Sequence, residues 1–274
     1  MQLNPLVSII MPTYNSEKFI FEAINSILNQ TYTNFELLII NDGSNDHTME
    51  IIHEVPDDKI QYFEQDNKGV SKARNLGLSN MRGEFFCFMD ADDVMPSNSI
   101  MSRLQIFQKQ PNISFVDGKV VYMNEEMLPI GKSYIPSFKG YPYNELLQVS
   151  NSCCFGNTWM IKREMNIEYK FNEELTHCED LCFYLSISEG AEYDYTTDEV
   201  LHYRIRQNSA MSNFSGLEEG YKQFYDIVKT EHQVNWMILL YLKYRITRIM
   251  LLSYIFDKRS PLNALRVCFR YLFL

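Results

Sequence analysis

Apolar runs of strand length alternate with longer mixed segments along the first third of the chain. Residues 6–11 precede 17–28, 35–40 precede 46–54, 60–64 precede 70–81, and 85–89 closes the series. A strand covered on both faces reads as a continuous Val/Ile/Leu/Phe run, and helices between such strands imply parallel pairing with right-handed crossovers. The pattern predicts an α/β doubly wound fold, Rossmann-like, with a mostly parallel central sheet and flanking helices. In such sheets ligands bind beyond the carboxyl ends of the strands. Three polar clusters fall there, Pro12-Thr13-Tyr14-Asn15, Asn41-Asp42-Gly43-Ser44 and Asp90-Ala91-Asp92-Asp93, and they are expected to converge. Past Asp93 the regularity weakens into a helix over 97–109, a strand-like segment over 113–122 and a Pro/Gly/Tyr-rich stretch over 128–143. That stretch reads as variable substrate loops.

The length of 274 residues and a hydrophobic content of 46% allow one large domain with an appendage. The net charge of -10 is unevenly spread: residues 231–274 carry seven Lys/Arg against two Asp/Glu, a net +5, leaving -15 for residues 1–230. An acidic body repels nucleic acid, whereas a basic apolar tail is attracted to anionic lipid headgroups. The stretch 234–256 is apolar but carries Lys243, Arg245 and Arg248, so it lacks the roughly 20 mostly uncharged residues of a spanning helix. Two readings stay open for it: interfacial association with snorkelling basic side chains, or a helical pair packed on the domain or on a second subunit of a homo-oligomer. Met1-Gln2-Leu3-Asn4-Pro5 has no basic region, and the apolar run that follows is too short for a signal peptide. Six scattered cysteines read as reduced thiols. The expected location is the cytoplasm, peripheral on the inner face of the membrane.

Chemistry is densest over residues 67–93, where Gly69 and Arg74-Asn75 open a helix, a buried strand follows, and Asp90 to Asp93 come last. Three carboxylates released at a strand end are costly unless water or a cation receives them. A hard divalent ion with oxygen ligands suits them. Asp90-Ala91-Asp92, if extended, sets two carboxylates on one side and Asp93 opposite, so that Asp92 and Asp90 face a metal and Asp90 reaches the nucleotide as well. Asp42 follows the second strand where a dinucleotide fold places an acid on ribose. The first strand, however, opens into Pro12-Thr13-Tyr14 with no G-x-G-x-x-G, which disfavours a dehydrogenase. What remains is a mononucleotide site, with Pro12, Thr13 and Tyr14 lining the base pocket, Asp42 accepting from the base or ribose, and Arg74 pairing with phosphate in its fork geometry. Asp42 also reads as a helix cap or a turn former. His177, Cys178 and Cys182 lack a fourth ligand at metal-site spacing and read as core, as do Trp159, Tyr134, Tyr141 and Tyr143.

Together, residues 8–15, Asn41-Asp42-Gly43-Ser44-Asn45-Asp46, residues 69–77 and Asp90 to Asp93 resemble the family 2 nucleotide-sugar glycosyltransferases of GT-A fold, over about residues 6–215. The resemblance implies a GT-A domain over 1–215, with 1–93 as its nucleotide-binding half and 94–215 as its acceptor and catalytic-base half. Residues 216–274 form a helical C-terminal extension. Cys178-Glu179-Asp180 is similar to the segment that supplies the family's catalytic base, which implies Asp180 in that role. By itself Asp180 reads equally as an acid at a solvated helix start. Tyr203-Arg204-Ile205-Arg206-Gln207-Asn208-Ser209 resembles the element that closes over the diphosphate, which implies phosphate contacts for Arg204 and Arg206. Many relatives carry His at position 206. The implied activity is an inverting transfer from a nucleotide sugar, of the UDP class, to a saccharide or lipid-linked saccharide acceptor, with Mn²⁺ or Mg²⁺ as cofactor. The alternatives are a sugar nucleotidyltransferase, which would need a Gly-rich basic loop after the first strand, and a non-catalytic sugar-nucleotide-binding or scaffolding subunit.

Overall fold

Seven consecutive buried residues, Val7–Thr13, form the first strand, β1, at the centre of the sheet. The computed structural model describes residues 4–206, 213–256 and 260–272, apart from the side chains of Pro261 and residues 268–272. Met1 to Leu3, Gln207 to Ser209 of the segment expected over the diphosphate, and Asp257, Lys258 and Arg259 of the tail lie outside the described residues, as does the side chain of Arg270.

The chain continues through α1 (Ile20–Leu28), β2 (Phe35–Asp42), α2 (Thr48–His53), β3 (Ile60–Gln65), α3 (Val70–Asn80) and β4 (Phe85–Phe88). Helix α1 buries Ile20, Ala23, Ile24 and Ile27, the i, i+3, i+4, i+7 stripe of a helix laid on a sheet. Each fully buried isoleucine there contributes about 1.5–3 kcal/mol. Strands β2 and β4 flank β1, and β3 flanks β2, all in parallel. The carboxyl ends of β1, β2 and β4 therefore lie side by side, and the three polar clusters meet there.

The second half comprises α4 (Ser99–Lys109), β5 (Ile113–Met123), β6 (Pro129–Tyr134), α5 (Tyr143–Leu147), β7 (Met160–Lys162), α6 (Glu179–Ile187) and β8 (Glu192–Arg204). The sheet order is β3-β2-β1-β4-β7-β5-β6, with β8 pairing β5 in parallel. Strand β7 is antiparallel to both β4 and β5, so the sheet is mixed. The Pro/Gly/Tyr-rich stretch expected to be loop contains β6, antiparallel to the end of β5. Strand β8 was not legible in the periodicity because Glu192, Asp194, Asp198 and Glu199 interrupt its apolar positions.

Helices α7 (Phe214–Glu231), α8 (Trp236–Phe256) and α9 (Pro261–Leu272) complete the chain. Phe224, Val228, Leu242, Ile246 and Met250 belong to the same hydrophobic cluster as Trp159 and Phe183, so α7 and α8 share the core of the sheet domain. Arg245 reinforces this contact by donating to the Val149 carbonyl at 3.0 Å, just beyond α5. Among the described residues no helix is long and apolar enough to cross a membrane.

Candidate active site at the carboxyl ends of the strands

The first two polar clusters are stitched together. The Asn15 backbone N–H donates to Ser44 Oγ at 3.0 Å, and the Asn45 N–H donates to Asn15 Oδ1 at 2.9 Å. Pro12 and Thr13 are buried as the last residues of β1, while Tyr14 is 48% exposed at the rim. Asp42, expected on a base or ribose, accepts from Gln65 Nε2 at 2.7 Å and from the backbone N–H groups of Lys68 and Gly69 at 2.8 and 2.9 Å. Its carboxylate thus fastens the Lys68–Gly69 turn that leads into α3, across 27 residues of sequence, without capping the helix itself.

The Asp90 to Asp93 segment corrects the extended geometry expected of it: the Asp93 N–H donates to the Asp90 carbonyl at 3.2 Å, closing a turn. Asp90 is left 45% exposed and Asp92 18% exposed. Asp93 is buried and accepts the Arg204 backbone N–H at 2.8 Å. Burial, then the neighbouring Asp90, raises the Asp92 carboxyl above the usual range, with Arg206 opposing. Asp93 is raised well above it by burial, then by Asp92 and Asp90.

Arg74, expected to face phosphate, is 3% exposed and is enclosed by protein acids. Its Nη2 lies 3.2 Å from Asp90 Oδ1 and its Nη1 lies 3.0 Å from Glu179 Oε1, with the Phe171 ring 5.2 Å away. Burial disfavours the charge, but Asp90, Glu179 and Asp180 more than restore it. Asn157 lies against the same guanidinium; with its amide oxygen turned inward it accepts from Nη2 at 2.6 Å. Next along α3, Asn75 exchanges hydrogen bonds with Phe171, donating to its carbonyl at 3.0 Å and accepting from its N–H at 2.7 Å. Arg74-Asn75 therefore holds the segment that leads to Asp180. Asn157 carried no signal in the sequence, since nothing local marks a loop amide as a partner of a residue 83 positions earlier.

Asp180 stands in the first turn of α6, whose N-cap Cys178 adopts a left-handed φ of 60°. Such a conformation in a non-glycine residue is held by its surroundings. Asp180 accepts the Leu181 N–H at 2.8 Å, and a Cβ built on Gly156 would sit 3.5 Å from its Oδ2. It is half-buried, so the solvated helix start does not describe it. Burial and then Glu179 push its carboxyl up to about 6, against the lowering influence of Arg74.

Arg204, expected on the diphosphate, is corrected to a bracket within the protein. It is buried, donates from Nε to the Asp92 carbonyl at 2.7 Å, and spends its other donors on the Glu125 carbonyl and on Glu22. Its guanidinium lies 4.6 Å above the Phe19 ring. Arg206 lies over the same ring at 5.6 Å and pairs with Asp92.

Among the described residues no three or more His, Cys, Asp or Glu side chains gather to hold a metal ion. Asp92 and Asp90 are nevertheless the oxygen donors a hard cation takes, and after burial it is Asp90 that raises the Asp92 carboxyl. They would supply two carboxylate donors to a divalent cation. His177 and Cys182 are buried, and the five described cysteines are free.

The profile of Glycosyl transferase family 2 matches residues 8–170. The chain is similar to an uncharacterized glycosyltransferase of Rickettsia bellii, at 31% identity over 78% of this chain but only 31% of that protein, so it spans about a third of that relative's length. It is 34% identical to UDP-Glc:alpha-D-GlcNAc-diphosphoundecaprenol beta-1,3-glucosyltransferase WfgD of Escherichia coli, over 76% of this chain and 80% of WfgD. Among solved structures, Staphylococcus aureus TarS 1-349 in complex with UDP-GlcNAc superposes with a TM-score of 0.69 at 19% identity, over 91% of this chain and 73% of TarS. The Pyrobaculum calidifontis mannosyltransferase PcManGT, in complex with GDP-Man and Mn²⁺, gives a TM-score of 0.65 at 17% identity, over 97% of this chain and 79% of that one. These two structures speak for the fold, and the profile and WfgD for the family. The chain therefore belongs to glycosyl transferase family 2, with the GT-A fold of a nucleotide-sugar glycosyltransferase.

Proposed function

We propose that this protein is an inverting glycosyltransferase that moves a sugar from a UDP-sugar to a saccharide acceptor carried on a lipid diphosphate, working peripherally at the cytoplasmic face of a membrane. The observation that carries the reading is Asp180, a half-buried carboxylate pushed up to about 6 beside the Asp90–Asp92 turn, with Arg74 linking the two sides. The UDP-Glc in the name of WfgD and the UDP-GlcNAc bound to TarS support the donor class. The diphosphoundecaprenol in the name of WfgD supports the acceptor class.

In an in-line displacement the acceptor oxygen bonds to the anomeric carbon as the bond to the diphosphate oxygen breaks, and the nucleoside diphosphate leaves with that electron pair. Asp180 takes the hydroxyl proton, and a carboxylate poised near 6 is a stronger base than an ordinary aspartate. Tyr14 at the rim, with Pro12, Thr13 and Asp42 beneath it, shapes the base pocket. Arg206 pairs with phosphate. A divalent cation, Mn²⁺ or Mg²⁺, held by Asp92 with Asp90 would neutralise charge on the leaving diphosphate. Residues 1–93 then serve the nucleotide, 94–215 the acceptor and base, and 216–274 the membrane.

Support for the membrane comes from α8. Met237, Tyr241, Tyr244, Arg248, Leu252 and Phe256 form an exposed stripe opposite the buried Leu242, Ile246, Met250 and Tyr254. A second copy would bring one +5 tail against another, whereas an anionic lipid surface attracts it. The test of the transfer is a panel of UDP-Glc, UDP-GlcNAc and GDP-Man offered with a GlcNAc-diphospholipid acceptor. A UDP-sugar consumed with inversion, only when acceptor is present, is the expected result. Retention of configuration, or donor binding with no transfer, would overturn it.

A further inference from the structure

Of the three guanidiniums near the site, Arg206 is the one that a single ion pair holds among the described residues, and it is the most exposed of them. Arg74 spans Asp90 and Glu179, and Arg204 spans Glu22 and two carbonyls. Arg206 pairs with Asp92 through Nη2, its Nε, like that of Arg74, is buried with no hydrogen-bond partner among the described residues, and its guanidinium lies over Phe19. The ion pair therefore uses part of a fork built for two parallel hydrogen bonds, and the orphaned Nε–H carries a desolvation penalty. A phosphate oxygen pair would satisfy both edges of that fork, as a single carboxylate oxygen does not. The carboxylate in question is also the one that a divalent cation would need. Two cations on one carboxylate repel each other, so Arg206 and a metal ion compete for Asp92.

We propose that Arg206 is a built-in competitor for Asp92. It holds the carboxylate until a nucleoside diphosphate arrives, then transfers to phosphate and releases Asp92 to the cation. Cation binding is thereby made conditional on the donor. The inference rests on the functional reading above, because it needs a diphosphate at this site.

The full chain is titrated with Mn²⁺, free metal being read by its electron paramagnetic resonance signal, with and without saturating UDP. The parent is expected to bind Mn²⁺ weakly alone and about tenfold or more tightly with UDP. Arg206→Gln is expected to bind Mn²⁺ about tenfold more tightly than the parent when UDP is absent, and to lose most of the UDP effect. By linkage, Mn²⁺ then helps UDP less in the variant than in the parent. Should Arg206→Gln fail to fold, Arg206→Met keeps an apolar stem on Phe19 and carries the same test. If the variant's nucleotide-free Mn²⁺ affinity equals or falls below the parent's, while UDP and Mn²⁺ still reinforce each other in the parent, the competitor role is overturned and the functional reading stands. If the parent binds neither UDP nor Mn²⁺, both fall together.

Discussion

Arg74 Nη1 donates to Glu179 Oε1 at 3.0 Å across 105 residues of sequence. The contact ties the helix that follows the third strand to the helix start that presents Asp180. It also places a positive charge where it counters the acids around Asp180.

Replacing Arg74 with Met leaves Glu179 and Asp90 without their partner. Removing one member of a buried ion pair costs about 3 kcal/mol or more, so the urea midpoint of Arg74→Met should fall clearly below that of the parent. Arg74 lowers the Asp180 pKa, so its loss should also move the acid limb of the pH–rate profile to higher pH. An unchanged midpoint would mean that solvent already screens the pair.

Asp180 must be ionised to accept a proton, so the parental rate should rise with pH through about 6 and level off above it. Asp180→Asn should cut transfer by about 100-fold or more while leaving UDP affinity nearly unchanged. Stability should move the other way. A carboxyl raised on folding contributes stability below its unfolded pKa of about 3.9, and that contribution is lost as pH rises through the folded value. The Asn variant should therefore melt higher than the parent at pH 8, with the gap closing toward pH 4. A variant that transfers sugar at the parental rate would remove Asp180 from the mechanism.

Asp92→Asn should abolish turnover and weaken metal-dependent nucleotide binding, read by thermal shift with UDP in the presence and absence of Mn²⁺. A ligand at 100 times its dissociation constant stabilises by about 2.7 kcal/mol, well within reach of that assay. Parental activity that survives chelation would exclude the cation.

Helix α3 carries Arg74 and Asn75 to their places only because Gly77 lets it approach the sheet. A Cβ at Gly77 would lie 2.4 Å from Ile10 Cγ2 and 3.0 Å from Ile40 Cδ1, both on fully buried strands. Overpacking of this kind costs about 1–3 kcal/mol, which outweighs the gain in helix propensity of about 1 kcal/mol. Gly77→Ala should be destabilised, and its transfer rate should fall with the displaced Arg74. A variant as stable as the parent would show that Ile10 has room to move.

At low salt the full chain should co-sediment with anionic liposomes and not with neutral ones, since each Lys or Arg near an anionic surface contributes about 1 kcal/mol. About 0.5 M salt should weaken the association, and Arg248→Glu should reverse the charge at the middle of the exposed stripe and reduce it further. Concentration-dependent self-association without liposome binding would assign the stripe to a second copy.

The parallel half of the sheet was legible in the order of the residues. Strands β1, β2 and β4 are largely covered on both faces, so apart from Ser8 and Glu36 their positions are apolar up to the polar carboxyl ends, and the runs are visible without knowing their neighbours. The same order also placed the polar clusters, because a doubly wound sheet releases its loops at one edge. Tertiary structure alone decided the mixed half. Strand β7 is only three residues long, and β8 tolerates charge because its acids find Lys119, Lys139 and Gln110 as partners. It decided the occupations of the site as well. Asp42 looks free until the Lys68–Gly69 turn folds back onto it, and Arg74 and Arg204 look available for phosphate until Glu179 and Glu22 arrive from 105 and 182 residues away. Periodicity records how one element meets solvent and core, whereas the partner of a charged side chain is set by whichever distant segment the fold brings within 3 Å.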